Sequence, residues 1–128
     1  MDKTVKYYMA PLESVTTWIY RQAHAKIYGR LDKYFIPFLE PHEKRDFKTR
    51  ELQEILPEHN ENIYAVPQIL TNRSEGFIKL AKALKEWGYE EINLNLGCPS
   101  KTVVTKGKGS GFLAKPKELE RFLMEIFD

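Results

Sequence analysis

The chain has 128 residues, with Lys+Arg 20 against Asp+Glu 18 and a formal net charge of +2. Hydrophobic residues make up 42% and charged residues 30%, a globular balance that excludes disordered, collagen-like and low-complexity classes. The near-neutral charge argues against a histone-like nucleic-acid binder and leaves room for a local basic patch. The single cysteine allows no internal disulfide, so a reducing cytosol is the expected compartment. The first residues, Met1 to Tyr7, are charged and carry no signal-peptide core. No apolar run approaches the roughly 20 residues of a membrane helix. A cytoplasmic protein with no membrane role is expected, and the length suits one domain over residues 1–128.

Tyr7 to Ala10 is a short apolar run stopped by Pro11, and it predicts a buried strand. From Thr16 to Tyr28 the spacing becomes helical, with Trp18, Ile19, Ala23 and Ile27 recurring. Thr16 or Thr17 supplies the N-cap and Gly29 the C-cap. Tyr34 to Leu39 is a second apolar run, weakened as a strand by Pro37, which cannot donate to a ladder. The polar stretch from His42 to Asn62 predicts a long connection holding a helical piece near Arg50 to Leu56. Ile63 to Leu70 is a third strand, and Asn72 or Ser74 opens the helix that follows. Phe77, Leu80, Ala81, Leu84 and Trp87 give that helix its apolar face, and Gly88 closes it. Glu91 to Leu96 predicts a fourth strand, Gly97 to Gly111 a glycine-rich loop, and Lys115-Pro116 the start of a last helix. Trp18, Tyr20, Phe77 and Trp87 are expected in the core rather than on a base-stacking surface.

Strands alternating with helices imply parallel pairing through crossover helices. A complete (β/α)₈ barrel takes about 250 residues and eight strands. This α/β chain offers roughly half of each, which suggests the first half of a TIM barrel, a fragment of the whole, with a small complete α/β domain as the other reading.

The strongest local feature is Asn93-Leu94-Asn95-Leu96-Gly97-Cys98-Pro99-Ser100. It lies at the C-terminal end of a predicted parallel strand, where α/β folds bind ligands. Asn93 and Asn95 should point to one side of the strand. Gly97 permits an unusual backbone angle, and Cys98 follows in the loop. An ordinary thiol is mostly protonated at neutral pH and can donate a proton. From spacing alone, a buried structural cysteine is an equal reading. The following loop has Gly107, Gly109 and Gly111 among Lys101, Lys106, Lys108, Lys115 and Lys117. It matches neither a Walker loop nor a dinucleotide fingerprint. A solvated, flexible loop is favoured there over a phosphate contact. Gln68 sits at a strand end and either faces a site or caps the strand. His24, His42 and His59 with one cysteine show no metal-site spacing, so no metal is expected.

These motifs resemble the N-terminal half of the tRNA-dihydrouridine synthases, flavoenzymes on a TIM-barrel scaffold. Met9-Ala10-Pro11-Leu12-Glu13-Ser14-Val15-Thr16, closed by Arg21, is similar to the family's first-strand motif. Gln68 in Val66-Pro67-Gln68-Ile69-Leu70 is similar to its flavin-contacting glutamine. Asn95-Leu96-Gly97-Cys98-Pro99-Ser100, running on to Gly107-Lys108-Gly109-Ser110-Gly111, resembles the family signature, the most specific of the three. The sequence departs from the pattern at Leu12, where methionine is usual, at Ser14, where glycine is usual, and at Thr17, where aspartate is frequent.

The resemblance implies FMN-dependent reduction of the C5–C6 bond of a tRNA uridine, with NADPH as the reductant. Cys98 is implied as the proton donor to C5 and Asn95 as the residue holding the uracil. Pro11 and Leu12 are implied to pack on the flavin ring and Gln68 to bond its polar edge. The partner implied is tRNA, and the basic loop then lies near its phosphates. The family's catalytic lysine and histidine, phosphate-binding loops and helical tRNA-binding domain come later than these motifs. The isolated 128-residue chain is therefore expected to be inactive and to hold FMN weakly. Two other readings stand beside this one. A dihydroorotate dehydrogenase type of flavin barrel also places a cysteine before a proline, but usually as Asn-x-Ser-Cys-Pro-Asn, and Gly97 and Ser100 favour the tRNA enzyme. A half-barrel without catalysis, serving in binding or assembly, is the other.

Overall fold

A computed structural model describes residues 4–128. Four strands, β1 (Tyr8–Met9), β2 (Lys33–Leu39), β3 (Ala65–Ile69) and β4 (Asn93–Leu94), form one parallel sheet in the order β1-β2-β3-β4. Helices α1 (Trp18–Tyr28), α2 (Thr49–Ile55), α3 (Ser74–Glu86), α4 (Lys101–Val104) and α5 (Pro116–Ile126) fill the connections. Short 3₁₀ helices run over Pro57–His59 and Gly109–Ala114. Each strand pairs with its sequence neighbours, so every crossover steps the same way. Right-handed crossovers of this kind put the helices on one face and leave the other concave. The fold is the first half of a TIM barrel.

The covered face carries the core. Ile36, Leu39 and Ile69 from the sheet meet Ile55 of α2 and Leu80 and Leu84 of α3, all essentially buried. Ile92, Phe77 and Tyr89 pack around them. Pro37 lies inside β2 after all. The register steps from Ile36↔Pro67 to Leu39↔Ile69, so β2 carries one extra residue there. That bulge takes Pro37 out of the hydrogen-bonded ladder, which resolves the objection to a proline in a strand. β1 and β4 are shorter than the expected 7–10 and 91–96, each retaining two residues of ladder.

Thr17 caps α1, its hydroxyl accepting from the Tyr20 N–H at 3.5 Å, and Gly29 ends the helix at φ 89°. Thr16 has a different task, described below. The α1 residues Ile19 and Ile27, expected on a buried face, are 62% and 70% exposed. β1 has a neighbour on one side only, so nothing among the described residues covers the far side of α1. Tyr20 and Trp87 are likewise exposed rather than core. Trp18 instead stacks on His59 with ring centroids 3.7 Å apart.

The polar stretch after β2 is ordered by one carboxylate. Glu51 accepts from the Lys48 N–H at 2.8 Å, from the Glu40 N–H at 3.0 Å, and meets His42 Nε2 at 2.6 Å. The glycine-rich segment is also folded, against the expectation of a flexible loop. Phe112 anchors it: the ring is buried and packs edge-on to Phe122 of α5, with centroids 5.3 Å apart. Lys108 pairs with Glu40 at 3.6 Å, while Lys101, Lys106 and Lys117 stay exposed. Among the described residues, no helix is long and apolar enough to cross a membrane and no cluster of metal-binding side chains occurs.

Arg21 is fully buried and ties α1 to α2 and to the segment after it. It donates to the Thr16 carbonyl and Glu54 Oε1, both at 2.9 Å, and to the Glu54 carbonyl and Asn60 Oδ1, both at 3.0 Å. Its Nε–H has no partner among the described residues. Burial lowers the guanidinium's pKa, and the bond to Glu54 opposes that shift. Nearby, burial pushes the Tyr89 hydroxyl up to about 12, with Arg21 acting against it. Breaking a buried ion pair from one side typically costs 3–5 kcal/mol. Replacing Arg21 by Met should therefore lower unfolding stability by about 3 kcal/mol, since Glu54 keeps some solvent. Urea denaturation of the two proteins checks this.

Candidate active site at the strand ends

The C-terminal ends of the four strands open onto a cleft of about 440 Å³. Pro11, Leu12, Gln68, Asn95 and Cys98 all line it. Pro37, Phe38, Leu94 and Leu96 add apolar wall. The wall is mostly apolar, with a few convergent polar groups, which is the usual make-up of a small-molecule site.

The first wall is the turn after β1. The Leu12 carbonyl accepts from the N–H groups of Val15 and Thr16 at 3.0 and 2.9 Å. The Thr16 hydroxyl accepts from the Leu12 N–H at 2.8 Å. Thr16 is therefore the lock of this turn, and Arg21 holds it from behind through its carbonyl. Ser14 in the middle adopts φ 66°, a left-handed conformation that disfavours a side chain. Glycine is usual there in the resembled motif, and this backbone angle gives the reason.

The second wall is a chain of amides. Gln68 stands opposite Asn93 in the β3–β4 register. Its Nε2 donates to Asn93 Oδ1 at 2.8 Å, and its Oε1 accepts from Asn95 Nδ2 at 2.9 Å. Asn93 and Asn95 thus point to the same side, as strand alternation requires. Asn95 Oδ1 then accepts from the Gly97 and Cys98 N–H groups, each at 3.0 Å. An amide has two donor hydrogens and two acceptor sites. Gln68 and Asn95 each keep one N–H unspent in these contacts.

Cys98 is half-buried and lines the cleft, which rules out the deeply buried structural cysteine. No group among the described residues hydrogen-bonds its sulfur. Its carbonyl, by contrast, accepts from Ser110 twice, from N–H at 3.1 Å and from Oγ at 2.9 Å. Gly109 makes the approach possible, with φ 56° and space for no side chain: a Cβ would lie 2.8 Å from the Cys98 oxygen. Gly97 behaves differently from the expectation. Its φ is not positive, and nothing lies within 4 Å of where a Cβ would sit. Neither the turn nor the packing requires glycine there.

Sequence reasoning placed Asn93 beside Asn95 without its bond to Gln68, and gave no role to Ser110 or to Pro37 and Phe38 of the apolar wall. The Asn-x-Asn alternation and the serine in Gly109-Ser110-Gly111 were the available signals for Asn93 and Ser110.

A parallel β/α half-barrel with a cysteine, an asparagine and an apolar shelf at its strand ends has the TIM-barrel fold, and TIM-barrel enzymes carry their active sites on that face. The family is specific: the chain matches the dihydrouridine synthase family over residues 8–128 and belongs to it. A probable tRNA-dihydrouridine synthase 2 of Bacillus subtilis is 30% identical over 116 residues, covering 86% of this chain and 34% of that protein. A probable tRNA-dihydrouridine synthase of Staphylococcus epidermidis is 28% identical over 117 residues, with coverage of 87% and 34%. One from Staphylococcus aureus is 30% identical over 115 residues, with coverage of 86% and 34%. The chain spans about a third of the length of these curated relatives.

Left-handed backbone costs an ordinary residue about 1 kcal/mol or more. Replacing Ser14 by Gly should therefore stabilise the fold by up to about 1 kcal/mol, offset in part by the added freedom of the unfolded chain. Thermal unfolding of the variant checks it, and an unchanged or lower midpoint would refute the strain at Ser14.

Proposed function

We propose that residues 1–128 form the N-terminal half of an FMN-binding catalytic domain that reduces uridine in tRNA to 5,6-dihydrouridine. The observation that carries this reading is that Pro11, Leu12, Gln68, Asn95 and Cys98 line one cleft at the strand ends. The donor set fits a flat ring with a polar edge. Pro11 and Leu12 offer an apolar shelf, Gln68 keeps an unspent N–H, and Gly97 leaves its space open. Bound there, FMN reduced by NADPH would supply the hydride that goes to C6 of the uracil.

The chain's own residues supply the rest. The target base leaves its stack to reach the cleft, as in other base-modifying enzymes. The remaining Asn95 N–H donates to a uracil carbonyl and sets the ring against the shelf. Cys98 gives its S–H proton to C5, and the thiolate takes a proton back from water. One hydride and one proton are thus added across the double bond. The exposed lysines Lys101, Lys106 and Lys117 meet tRNA phosphate beside this cleft. The protein acts as a cytoplasmic tRNA-processing enzyme.

General acid catalysis is worth roughly 10²–10⁴-fold in rate. Replacing Cys98 by Ala in the complete gene product should slow dihydrouridine formation by about that factor while flavin stays bound. Single-turnover assays on tRNA measure it, and a normal rate would remove Cys98 from the reaction.

Among the described residues, no lysine or arginine lines the cleft. A flavin phosphate therefore finds no cationic partner in this half of the site. Residues 1–128 alone should bind FMN no more tightly than riboflavin, and weakly in both cases. Fluorescence titration with the two flavins tests this; a clear preference for FMN would show that this chain carries the phosphate site.

A further inference from the structure

We propose that Ser110 is a positioning residue for the Cys98 thiol, acting through the Cys98 carbonyl. The inference rests on the reading of Cys98 as the proton donor.

A side chain leaves its Cα in a direction fixed by the backbone on both sides. At Cys98 both sides are held. Its N–H is bound by Asn95 Oδ1 at 3.0 Å, which restrains rotation before the Cα. Its C=O is bound by the Ser110 N–H at 3.1 Å and the Ser110 hydroxyl at 2.9 Å, which restrains rotation after it. Pro99 follows and fixes its own φ, so the Cys98–Pro99 peptide has little freedom left. The sulfur itself has no hydrogen-bond partner among the described residues. The clamp therefore fixes where the Cys98 Cβ points, and only the staggered χ1 rotation remains to place the sulfur.

The clamp is built to be stiff. Ser110 is 12 residues from Cys98 in sequence and belongs to a separate 3₁₀ helix. Gly109 presses that helix against the turn: a Cβ would be 3.1 Å from Cys98 Cβ and 2.9 Å from Val103 Cγ1. Gly111 packs as closely on α4, where a Cβ would meet the Val104 oxygen at 2.7 Å. Phe112 then pins the helix into the α3–α5 interface. The two bonds to the Cys98 carbonyl are the end of a braced lever, not a loose surface contact. A misplacement of about 1 Å at a reacting group can cost about 10²-fold in rate, so small losses of restraint here are felt in the chemistry.

The test is a double-mutant cycle in the complete gene product, read as single-turnover rates of dihydrouridine formation at saturating tRNA. Ser110→Ala keeps the backbone bond and loses the hydroxyl bond. It should lower the single-turnover rate about 10-fold, a fraction of the full misplacement cost, with KM for tRNA and flavin content unchanged. Ser110→Thr, which restores the hydroxyl, should recover most of the rate. In a Cys98→Ala background the same Ser110→Ala change should have no further effect, because Ser110 acts only through Cys98. An equal loss in both backgrounds would overturn the proposal and make Ser110 a general structural residue. A normal rate for Ser110→Ala, with Cys98→Ala slow, would overturn it while leaving the reading of Cys98 intact. A normal rate for Cys98→Ala would instead break that reading itself.

Discussion

Gln68 donates to Asn93 and accepts from Asn95 across the β3–β4 pair. The two bonds have opposite polarity, so they decide which way each asparagine amide faces. With Nδ2 of Asn95 turned to Gln68, its Oδ1 is left to receive the Gly97 and Cys98 N–H groups. A reversed Asn95 amide would set acceptor against acceptor at Gln68 and donor against donor at the Gly97 and Cys98 N–H groups. The shape of the Cys98 turn thus depends on a glutamine one strand away. That glutamine in turn depends on the parallel register that sets Gln68 beside Asn93. Amides suit this task better than charged groups: they can donate and accept at once and carry no Born penalty when half-buried.

The same geometry separates the structural face from the chemical one. Helices cover one side of the sheet, and Ile36, Leu39, Ile69, Leu80 and Leu84 make it dense. The concave side keeps its polar groups: Gln68, Asn93 and Asn95 near the strand ends, Lys33 and Glu91 near the strand starts. Lys33 Nζ lies 2.6 Å from Glu91, and that bond raises the lysine's pKa. This ion pair is at the N-terminal end, where barrels place stability, and the cysteine is at the C-terminal end, where they place chemistry. Arg21 connects the two concerns. It buries a charge to hold the Thr16 carbonyl, and Thr16 shapes the Leu12 shelf.

Much of this was legible in the sequence. Helical periodicity located α1, α3 and α5, and the order of elements implied parallel strands. Asn95 to Pro99 of the signature motif line the cleft, and Ser100 lies outside it. What escaped has identifiable causes. Pro37 obscured β2 because a bulge is a property of the strand pair, invisible in one strand. The segment after Gly97 looked flexible because glycine and lysine dominate it, yet one aromatic, Phe112, is enough to fold it once α5 supplies a seat. Ile19 and Ile27 matched a buried pattern, but burial needs a neighbour, and α1 lacks one on its outer side. Ser110 was the hardest to see, since its partner is a backbone carbonyl that carries no residue type.

A proton donor has two needs that pull against each other. It must be aimed at one atom of the substrate, and it must regain its proton from water after each turnover. A side-chain hydrogen bond to the sulfur would aim the thiol but would also compete for its proton and slow its recovery. In the proposed role of proton donor, Cys98 sits in a turn that separates the two demands. The backbone that aims the side chain is held by Asn95 on the N–H and by Ser110 on the carbonyl. The sulfur is left without a partner in a half-open cleft that water can enter. The glycines belong to the same solution. Gly109 lets the clamp close on the backbone, and Gly97 borders open space at the cleft.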